Sequence, residues 1–520
     1  MADICVASHH TSLAELLADE EFYMLSQRDG FLIELRLDYY SDLTLDNFNV
    51  ALNVFAPKAI VTYRHPAEDG RRTNVSDSER LSYLQRAAEA GAKYIDIETR
   101  TPHADFKKHQ SQLILSFHDF EQALDSYELR RRREEMNADA EADIIKIACR
   151  SDNIQDTAPL LSLLTDNAAL KPLIALAMGE SGFWTRVVGP LFGSPLTYAR
   201  GERAPGTAAG QPTWRELEEN YRFHQLKPGW PVYGVIGNPI THSLSPLMHN
   251  TALRKMGLDG VYLPFRVEGD PIEFVNTFAS ALGIKALSVT IPHKETMLKI
   301  CSEVHELARM IGAVNTILLN SNGAWYGANT DAFAAADALE EVIGSLRGKN
   351  VLVLGAGGAA KAVAFGVKVR GAHVFVANRT IEHAVALAAA VGGKMIRYDE
   401  LDGRPNFAAV INTTSVGMFP DTQQTPLKKE QIPESSIVFD TVYNPLRTKL
   451  LKLAQEKGCE VLEGVTMFVR QGACQFELYS GAKAPREAMK QVVLAALKNA
   501  RLLSEPRALA SGRAVKRIAP

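Results

Sequence analysis

Eight short apolar runs recur through roughly the first 220 residues, each separated from the next by a stretch with helical periodicity. They lie at 4–7, 31–37, 59–62, 94–97, 113–117, 144–148, 173–177 and, more weakly, 196–199. Short strands alternating with helices build parallel sheet, and eight such repeats in this length fit a (β/α)8 barrel. A barrel of this kind carries its chemistry at the C-terminal ends of its strands, so those ends are where functional side chains are expected.

Four ends are unusual. The second run holds Glu34, Arg36 and Asp38 at alternate positions, so all three share a face. The third leads into Thr62-Tyr-Arg64 with Glu68 just beyond, and the fifth ends in Ser116-Phe-His118-Asp119. The sixth, Asp143-Ile-Ile-Lys146-Ile-Ala148, places a lysine inside an isoleucine run. Parallel strands covered on both faces rarely hold a charge. Taken singly, each residue has a structural reading: Lys146 snorkels to water, His118 is a satisfied structural histidine, and Glu34 pairs with Arg36. Taken together at one mouth, they make a site. A buried lysine that loses its charge forms imines with ketones, a histidine oriented by a carboxylate moves protons, and arginines hold a carboxylate substrate.

The stretch Gln225-Leu-Lys-Pro-Gly-Trp-Pro231 breaks this pattern, because Pro228 and Gly229 end a helix and Pro231 restrains the residue before it. A second α/β region starts at 232. Its first strand leads to Ser243-Leu-Ser245, whose hydroxyls suit a polyhydroxylated ligand or simply cap a helix. A strand at 286–291 ends in Pro292-His-Lys294, and Gly312-Ala-Val-Asn315 and Asn329-Thr-Asp331 come after it. Lys294 and Asp331 read equally as a surface salt bridge or as a tuned acid/base pair. Next comes Asn350-Val-Leu-Val-Leu-Gly355-Ala356-Gly357-Gly358-Ala359-Ala360, a strand, a G-x-G-x-x-A turn and an alanine-rich helix. That is the pattern in which backbone approaches a dinucleotide pyrophosphate at a helix N-terminus. The following strand, 373–377, ends in Asn378-Arg379-Thr380. An arginine here, rather than an acid for a ribose hydroxyl, suits the 2′-phosphate of NADP.

The first half resembles type I 3-dehydroquinate dehydratase over nearly its whole length. The constellation above carries the resemblance, with Met178-Gly-Glu-Ser-Gly-Phe-Trp-Thr-Arg186 and Thr207-Ala-Ala-Gly-Gln211. It implies that Lys146 forms a Schiff base, His118 is the general acid/base and Glu68 orients it. It also implies that Ser8, Glu34, Arg36, Arg64, Arg186, Thr207 and Gln211 meet the substrate. From 232 to about 490 the chain resembles shikimate dehydrogenase, through Ser243-Leu-Ser245, Val289-Thr-Ile-Pro-His-Lys294, Asn329-Thr-Asp331, Asp440-Thr-Val-Tyr443 and Gly464-Val-Thr-Met-Phe-Val-Arg-Gln471. This implies Lys294 as acid/base with Asp331 as its partner, and Ser243, Ser245, Ser288, Thr290, Asn315, Tyr443 and Gln471 around shikimate. NADP(H) would be held by Gly355, Ala356, Gly357, Gly358, Ala359, Asn378, Arg379, Thr380, Thr441 and Gly464. Ser288 stands where members often carry asparagine, which leaves quinate as a competing substrate.

The expected architecture is therefore an α/β chain: a TIM barrel over 1–226, then a two-lobed dehydrogenase with a Rossmann lobe. The substrate lobe spans 232–330 with a C-terminal return over 466–500, the nucleotide lobe spans 331–465, and 501–520 forms an unstructured tail. The expected function is bifunctional, with dehydration of 3-dehydroquinate followed by NADPH-dependent reduction of 3-dehydroshikimate to shikimate. A ligand-sensing regulator built on the same domains would lack catalytic groups, and here they are present. The partners expected are small molecules, with the protein a monomer or weak homo-oligomer. A net charge of −3 gives no electrostatic case for nucleic acid, and no apolar run is long enough for a membrane span. Five scattered cysteines without CxxC argue for reduced thiols and against a metal site. Residues 3–7 pattern as a core strand rather than a signal peptide, so a cytoplasmic protein is expected, or a plastid one after loss of a transit peptide. Residues 128–142 read as a helix with Arg130 to Arg133 on a solvated face, and Thr213-Trp-Arg-Glu216 as the cap of the barrel's last helix.

Overall fold

The computed structural model describes residues 1–504 apart from 167–169, 241–242, 403–406 and 435. The chain forms two compact units: Met1–Asn329 with Gln475–Gly481, and Thr330–Cys474 with the segment from Ala482.

The first unit begins with eight parallel strands: β1 (Asp3–Ala7), β2 (Phe31–Arg36), β3 (Ala59–Thr62), β4 (Tyr94–Glu98), β5 (Gln112–Asp119), β6 (Ile144–Arg150), β7 (Leu173–Met178) and β8 (Leu196–Ala199). They pair in the order β7-β6-β5-β4-β3-β2-β1-β8, which gives the nearly closed barrel that the eight apolar runs imply. Side chains alternate across each strand. Leu32, Ile60, Tyr94, Ile114, Ile144, Ile174 and Leu196 fill the lower interior. Two residues further along, the same faces carry Glu34, Thr62, Asp96, Ser116 and Lys146, all buried. The helices are started by capping side chains: Thr44, Ser76 and Asp125 each accept a backbone N–H of the following first turn. Two local expectations are corrected. The arginine-rich helix is Ser126–Ala138, and Arg133 is buried against the Leu163 carbonyl and Asp166 rather than solvated. The Thr213 hydroxyl does accept from the Glu216 N–H, but the segment it caps is one π-helical turn, Glu216–Asn220.

The same unit continues into a six-stranded mixed sheet: β9 (Val232–Gly237), β10 (Val261–Arg266), β11 (Ile284–Val289), β12 (Cys301–Val304), β13 (Thr316–Leu319) and β14 (Trp325–Ala328), in the order β10-β9-β11-β13-β14-β12. The break at 225–231 is no free linker, because Leu226 and Trp230 are buried. Arg222 stacks over the Trp230 ring at 4.8 Å and donates to the carbonyls of Leu258 and Gly260. Trp184, on the barrel helix Phe183–Val188, packs edge-on against Phe278 of helix Pro271–Leu282. One apolar core therefore runs from the barrel into the mixed sheet.

The second unit is a parallel sheet of β15 (Asn350–Leu354), β16 (His373–Ala377), β17 (Lys394–Met395), β18 (Ala409–Asn412), β19 (Ile437–Asp440) and β20 (Glu460–Leu462), in the doubly wound order β17-β16-β15-β18-β19-β20. Of the return expected over 466–500, Gln475–Gly481 belongs with the first unit. The reason is local: the Gln475 amide is bonded into the mixed sheet through Ser288 and the Asn315 carbonyl. Of the tail expected over 501–520, the backbone of helix Arg486–Ser504 takes in the first four residues, and the rest lies outside the described residues. Among the described residues no helix is long and apolar enough to cross a membrane.

Trp184→Ala should lower stability by about 3–5 kcal/mol, as large aromatic truncations in a packed core do. Because the ring joins a barrel helix to a helix of the mixed-sheet layer in one core, hydrogen exchange should show the barrel and the mixed sheet losing protection together. Loss of protection in only one of them would show separate cores.

Candidate active site

The strand ends of the barrel enclose a cavity with about 510 Å³ of atom-free space, lined by charged groups from β2, β3, β5 and β6 and by Arg186, Thr207 and Gln211. Lys146 reaches it from the middle of β6 and is only 4% exposed. Its Nζ lies 3.0 Å from Asp96 Oδ2 and 4.0 Å from the centre of the Tyr198 ring. Asp96 is fully buried on β4 and also accepts from Arg64 at 3.3 Å and from the Ser116 hydroxyl at 2.6 Å. Burial alone would raise the Asp96 carboxyl, but Arg64 and Lys146 outweigh it and hold it well below the usual carboxylate range. Lysine and arginine thus share one buried counter-charge.

His118 projects from the end of β5. Its Nδ1 is 3.0 Å from Glu68 Oε2 and 3.2 Å from Arg64 Nη1. Burial, then the charges of Arg64 and Lys146, push the imidazole well below its ordinary value, so the ring is neutral at physiological pH. With Nδ1–H donated to an ionised Glu68, Nε2 is left as the basic atom. Glu68 is 1% exposed, and burial raises its carboxyl to about 7 against the opposing charge of Arg64. A base and its orienting carboxylate therefore face a buried amine across one cavity, an arrangement suited to imine formation and proton abstraction next to it.

The remaining groups give the cavity an anion-binding side. Arg186 is buried, its Nε has no hydrogen-bond partner among the described residues, and burial pulls its guanidinium down to about 10. A substrate carboxylate would supply the missing partner. Thr207 donates from both backbone and hydroxyl to Gln211 Oε1, which ties the loop over the mouth. Arg36 grips Asp38 with two bonds of 3.0 and 2.9 Å, and Glu34 accepts from the Thr62 hydroxyl, so the Glu34–Arg36 pairing is not what the fold makes. Ser8 is buried behind the mouth and does not line it; its hydroxyl accepts from Tyr40 and meets His10 Nδ1. Asp96, Glu98 and Ser116 join the site without having been singled out by sequence reasoning. The signal was available, since Tyr94-Ile-Asp96-Ile-Glu98 alternates as Glu34-Leu-Arg36 does.

In the mixed sheet, Ser243 and Ser245 stand together at the start of helix Ser245–Lys255, the Ser245 N–H donating to Ser243 Oγ at 3.3 Å. Ser288 is already engaged: it accepts from Tyr262 at 2.6 Å and donates to Gln475 at 2.8 Å. Gln475, missed in the sequence, also donates to the Asn315 carbonyl and to the Thr316 hydroxyl. Thr290 and Lys294 come after β11, and the Lys294 carbonyl accepts from the Val314 N–H.

In the second unit, Asp331 is buried in the first turn of helix Thr330–Ile343. Gly355 has φ +113° after β15, and a Cβ there would meet the Thr413 hydroxyl at 2.7 Å. A Cβ on Gly357 would meet nothing within 4 Å, so the turn is open on the side where Ala356, Gly358 and Ala359 begin helix Gly358–Val369. Asn378 bridges to the Thr380 carbonyl at the end of β16, leaving Arg379 exposed. Gly464 must lack a side chain, since a Cβ would come within 2.6 Å of the Thr441 carbonyl. The Tyr443 ring stacks on Phe468 at 4.5 Å, and Gln471 donates to the Phe468 carbonyl. An open glycine turn, a helix N-terminus and an exposed arginine one strand away fit a phosphorylated dinucleotide.

Asp96→Asn would leave Arg64 and Lys146 buried without their shared counter-charge. A loss of about 3–5 kcal/mol in denaturant unfolding is expected, the range for breaking a buried pair. A change below about 1 kcal/mol would mean that Glu34 and Glu98 suffice.

Comparison with known proteins finds relatives of both halves of the chain. Residues 4–228 match the model of type I 3-dehydroquinase, 235–317 that of the shikimate dehydrogenase substrate binding domain, 337–426 that of shikimate/quinate 5-dehydrogenase and 464–494 that of the shikimate 5′-dehydrogenase C-terminal domain. The chloroplastic bifunctional 3-dehydroquinate dehydratase/shikimate dehydrogenase of Arabidopsis thaliana is 37% identical over 491 residues, 89% of this chain and 79% of that one. The shikimate dehydrogenase (NADP(+)) of Methanosarcina acetivorans is 44% identical over 276 residues, 51% of this chain and 98% of that one. Among solved structures, the dehydroquinate dehydratase and shikimate dehydrogenase from S. pombe AroM covers 95% of this chain and 98% of its own at 25% identity, with a TM-score of 0.44. The chain belongs to the family of bifunctional 3-dehydroquinate dehydratase/shikimate dehydrogenases.

Proposed function

We propose that the barrel dehydrates 3-dehydroquinate through an imine on Lys146, and that the rest of the chain reduces the resulting 3-dehydroshikimate to shikimate. The observation that carries the first step is Lys146 and a neutral histidine lining one cavity with Arg186, whose buried Nε has no hydrogen-bond partner among the described residues. Arg186 takes the substrate carboxylate, with Arg64, Arg36, Glu34 and the Thr207–Gln211 loop around the ring. Lys146 gives its ammonium proton to His118 Nε2 and attacks the ketone; the carbinolamine hydroxyl takes that proton back and leaves as water, giving a protonated imine that acidifies the adjacent C–H. His118 Nε2 removes that proton and returns it to the departing hydroxyl. The ionised Glu68 carboxylate stabilises the imidazolium in between. Hydrolysis of the imine then frees Lys146.

For the reductase, Lys294 gives the proton to the carbonyl oxygen and Asp331 supports it. Ser243, Ser245, Thr290, Asn315, Tyr443 and Gln471 hold the substrate hydroxyls and carboxylate. Ser288 acts through its bond to Gln475. NADPH, when bound, supplies the hydride. Gly355 to Ala359, Thr441 and Gly464 would hold it, and Arg379, with Asn378 and Thr380, would take the 2′-phosphate. We read the protein as a monomer or weak homo-oligomer of the cytoplasm, or of a plastid.

The test is one optical assay. 3-Dehydroquinate alone should give the conjugated enone, and added NADPH should consume it. Lys146→Ala should abolish enone formation and borohydride trapping while leaving shikimate oxidation intact; an imine still trapped in this variant would sink the assignment. Arg379→Ala should raise KM for NADPH at least about tenfold more than KM for NADH, the scale of a lost charged hydrogen bond. Equal weakening of both would remove the 2′-phosphate role.

A further inference from the structure

We infer that Arg100 is a positioning residue for the dehydration, holding the Glu68 carboxylate ionised and turned toward His118 from outside the cavity. This rests on the Lys146–His118 reading above. Glu68 ends the short helical turn Pro66–Glu68 and divides its two oxygens: Oε2 lies 3.0 Å from His118 Nδ1, and Oε1 accepts from Arg100 Nε at 3.1 Å. Arg100 lies just beyond β4, and its side chain is 45% exposed. It lines a different cavity, on the outer side of β4 and β5 with Leu115, Phe117 and Arg132, and is not among the residues that line the mouth, which it meets through Glu68 alone.

The charges facing Glu68 decide why a second cation matters. Arg64 comes from the end of β3, Glu98 from β4, His118 from β5, and Asp69 adjoins Glu68 itself. Arg64 is committed to Asp96 and Glu98, with bonds of 3.3 and 3.1 Å, and Glu98 pushes Glu68 toward its neutral form. Arg100 is the cation whose hydrogen-bond partner among the described residues is Glu68 alone. Burial has raised Glu68 to about 7, and Arg64 and Arg100 both act in the opposite direction. A neutral Glu68 still accepts a hydrogen bond but no longer stabilises an imidazolium, so activity needs its charged form.

The measurement is kcat and KM for 3-dehydroquinate against pH, on the full-length enzyme and its variants. In Arg100→Ala the acidic limb of kcat should move about one pH unit higher, the lower end of what an adjacent opposite charge contributes. At about pH 7 kcat should fall roughly fivefold and recover by about pH 9, with KM unchanged. Arg100→Lys should restore most of the loss, and in a Glu68→Gln background Arg100→Ala should add nothing. Shikimate oxidation in the same samples reports that each variant is folded. A wild-type pH profile in Arg100→Ala, or an equal loss at every pH that persists in Glu68→Gln, would overturn the inference. A native enzyme that gives no enone would instead overturn the dehydratase reading on which it stands.

Discussion

A single buried carboxylate, Asp96, holds the polar layer of the barrel together. It receives the Lys146 ammonium, the Arg64 guanidinium and the Ser116 hydroxyl from three different strands. Each of those cations would be costly to bury alone, because the interior cannot replace the water it loses. Asp96 neutralises Lys146 and shares Arg64 with Glu98, which makes both cations tolerable. Burial lowers the imidazole, the charges of Arg64 and Lys146 add to it, and a neutral base is left at physiological pH. The chemistry of the mouth therefore depends on a residue that does not line its cavity.

The second dependence is on continuity of the core. Trp184, Phe278, Trp230 and Arg222 join barrel to mixed sheet, and a salt bridge of 3.0 Å between Glu180 and Arg266 lies along the same junction. Glu180 comes two residues after β7, next to Gly179, whose N–H donates to the Ala209 carbonyl of the loop over the mouth. The mixed sheet thus meets the segment after β7, which in turn holds the loop over the mouth. Within the mixed sheet, the chain Tyr262–Ser288–Gln475 plays a comparable part, satisfying buried hydroxyl and amide groups that would otherwise face apolar surroundings.

Much of this is legible in the residues. Period-two alternation on a parallel strand announces Glu34, Arg36 and Lys146, because charge on a doubly covered strand needs a reason. The same rule applied to Asp96 and Glu98 finds them too, but an apolar run taken as 94–97 hides the first and stops short of the second. Ser8 is implied by the family resemblance alone, and its hydroxyl is engaged by Tyr40 and His10. Arg100 carries no signal at all. It sits in a loop between Thr99 and Thr101, and only the fold brings its Nε to Glu68 across 32 positions of chain.

Sequence by itself determined the eight-strand repeat, the glycine turn after β15, the arginine after β16 and the lysine within β6. These are local: each comes from side-chain alternation, from backbone freedom at a glycine, from a charge within a buried strand, or from the residue type at a strand end. Tertiary structure alone decided which charges neutralise one another, that Arg36 grips Asp38 rather than Glu34, and that Gln475 closes a network begun at Tyr262. The first and last depend on distances between elements far apart in the chain, and Arg36 turns to its near neighbour Asp38 while Glu34 accepts from Thr62 on the next strand. Burial and the field of neighbouring ions then set the protonation of His118 and Glu68, and no stretch of sequence contains that field.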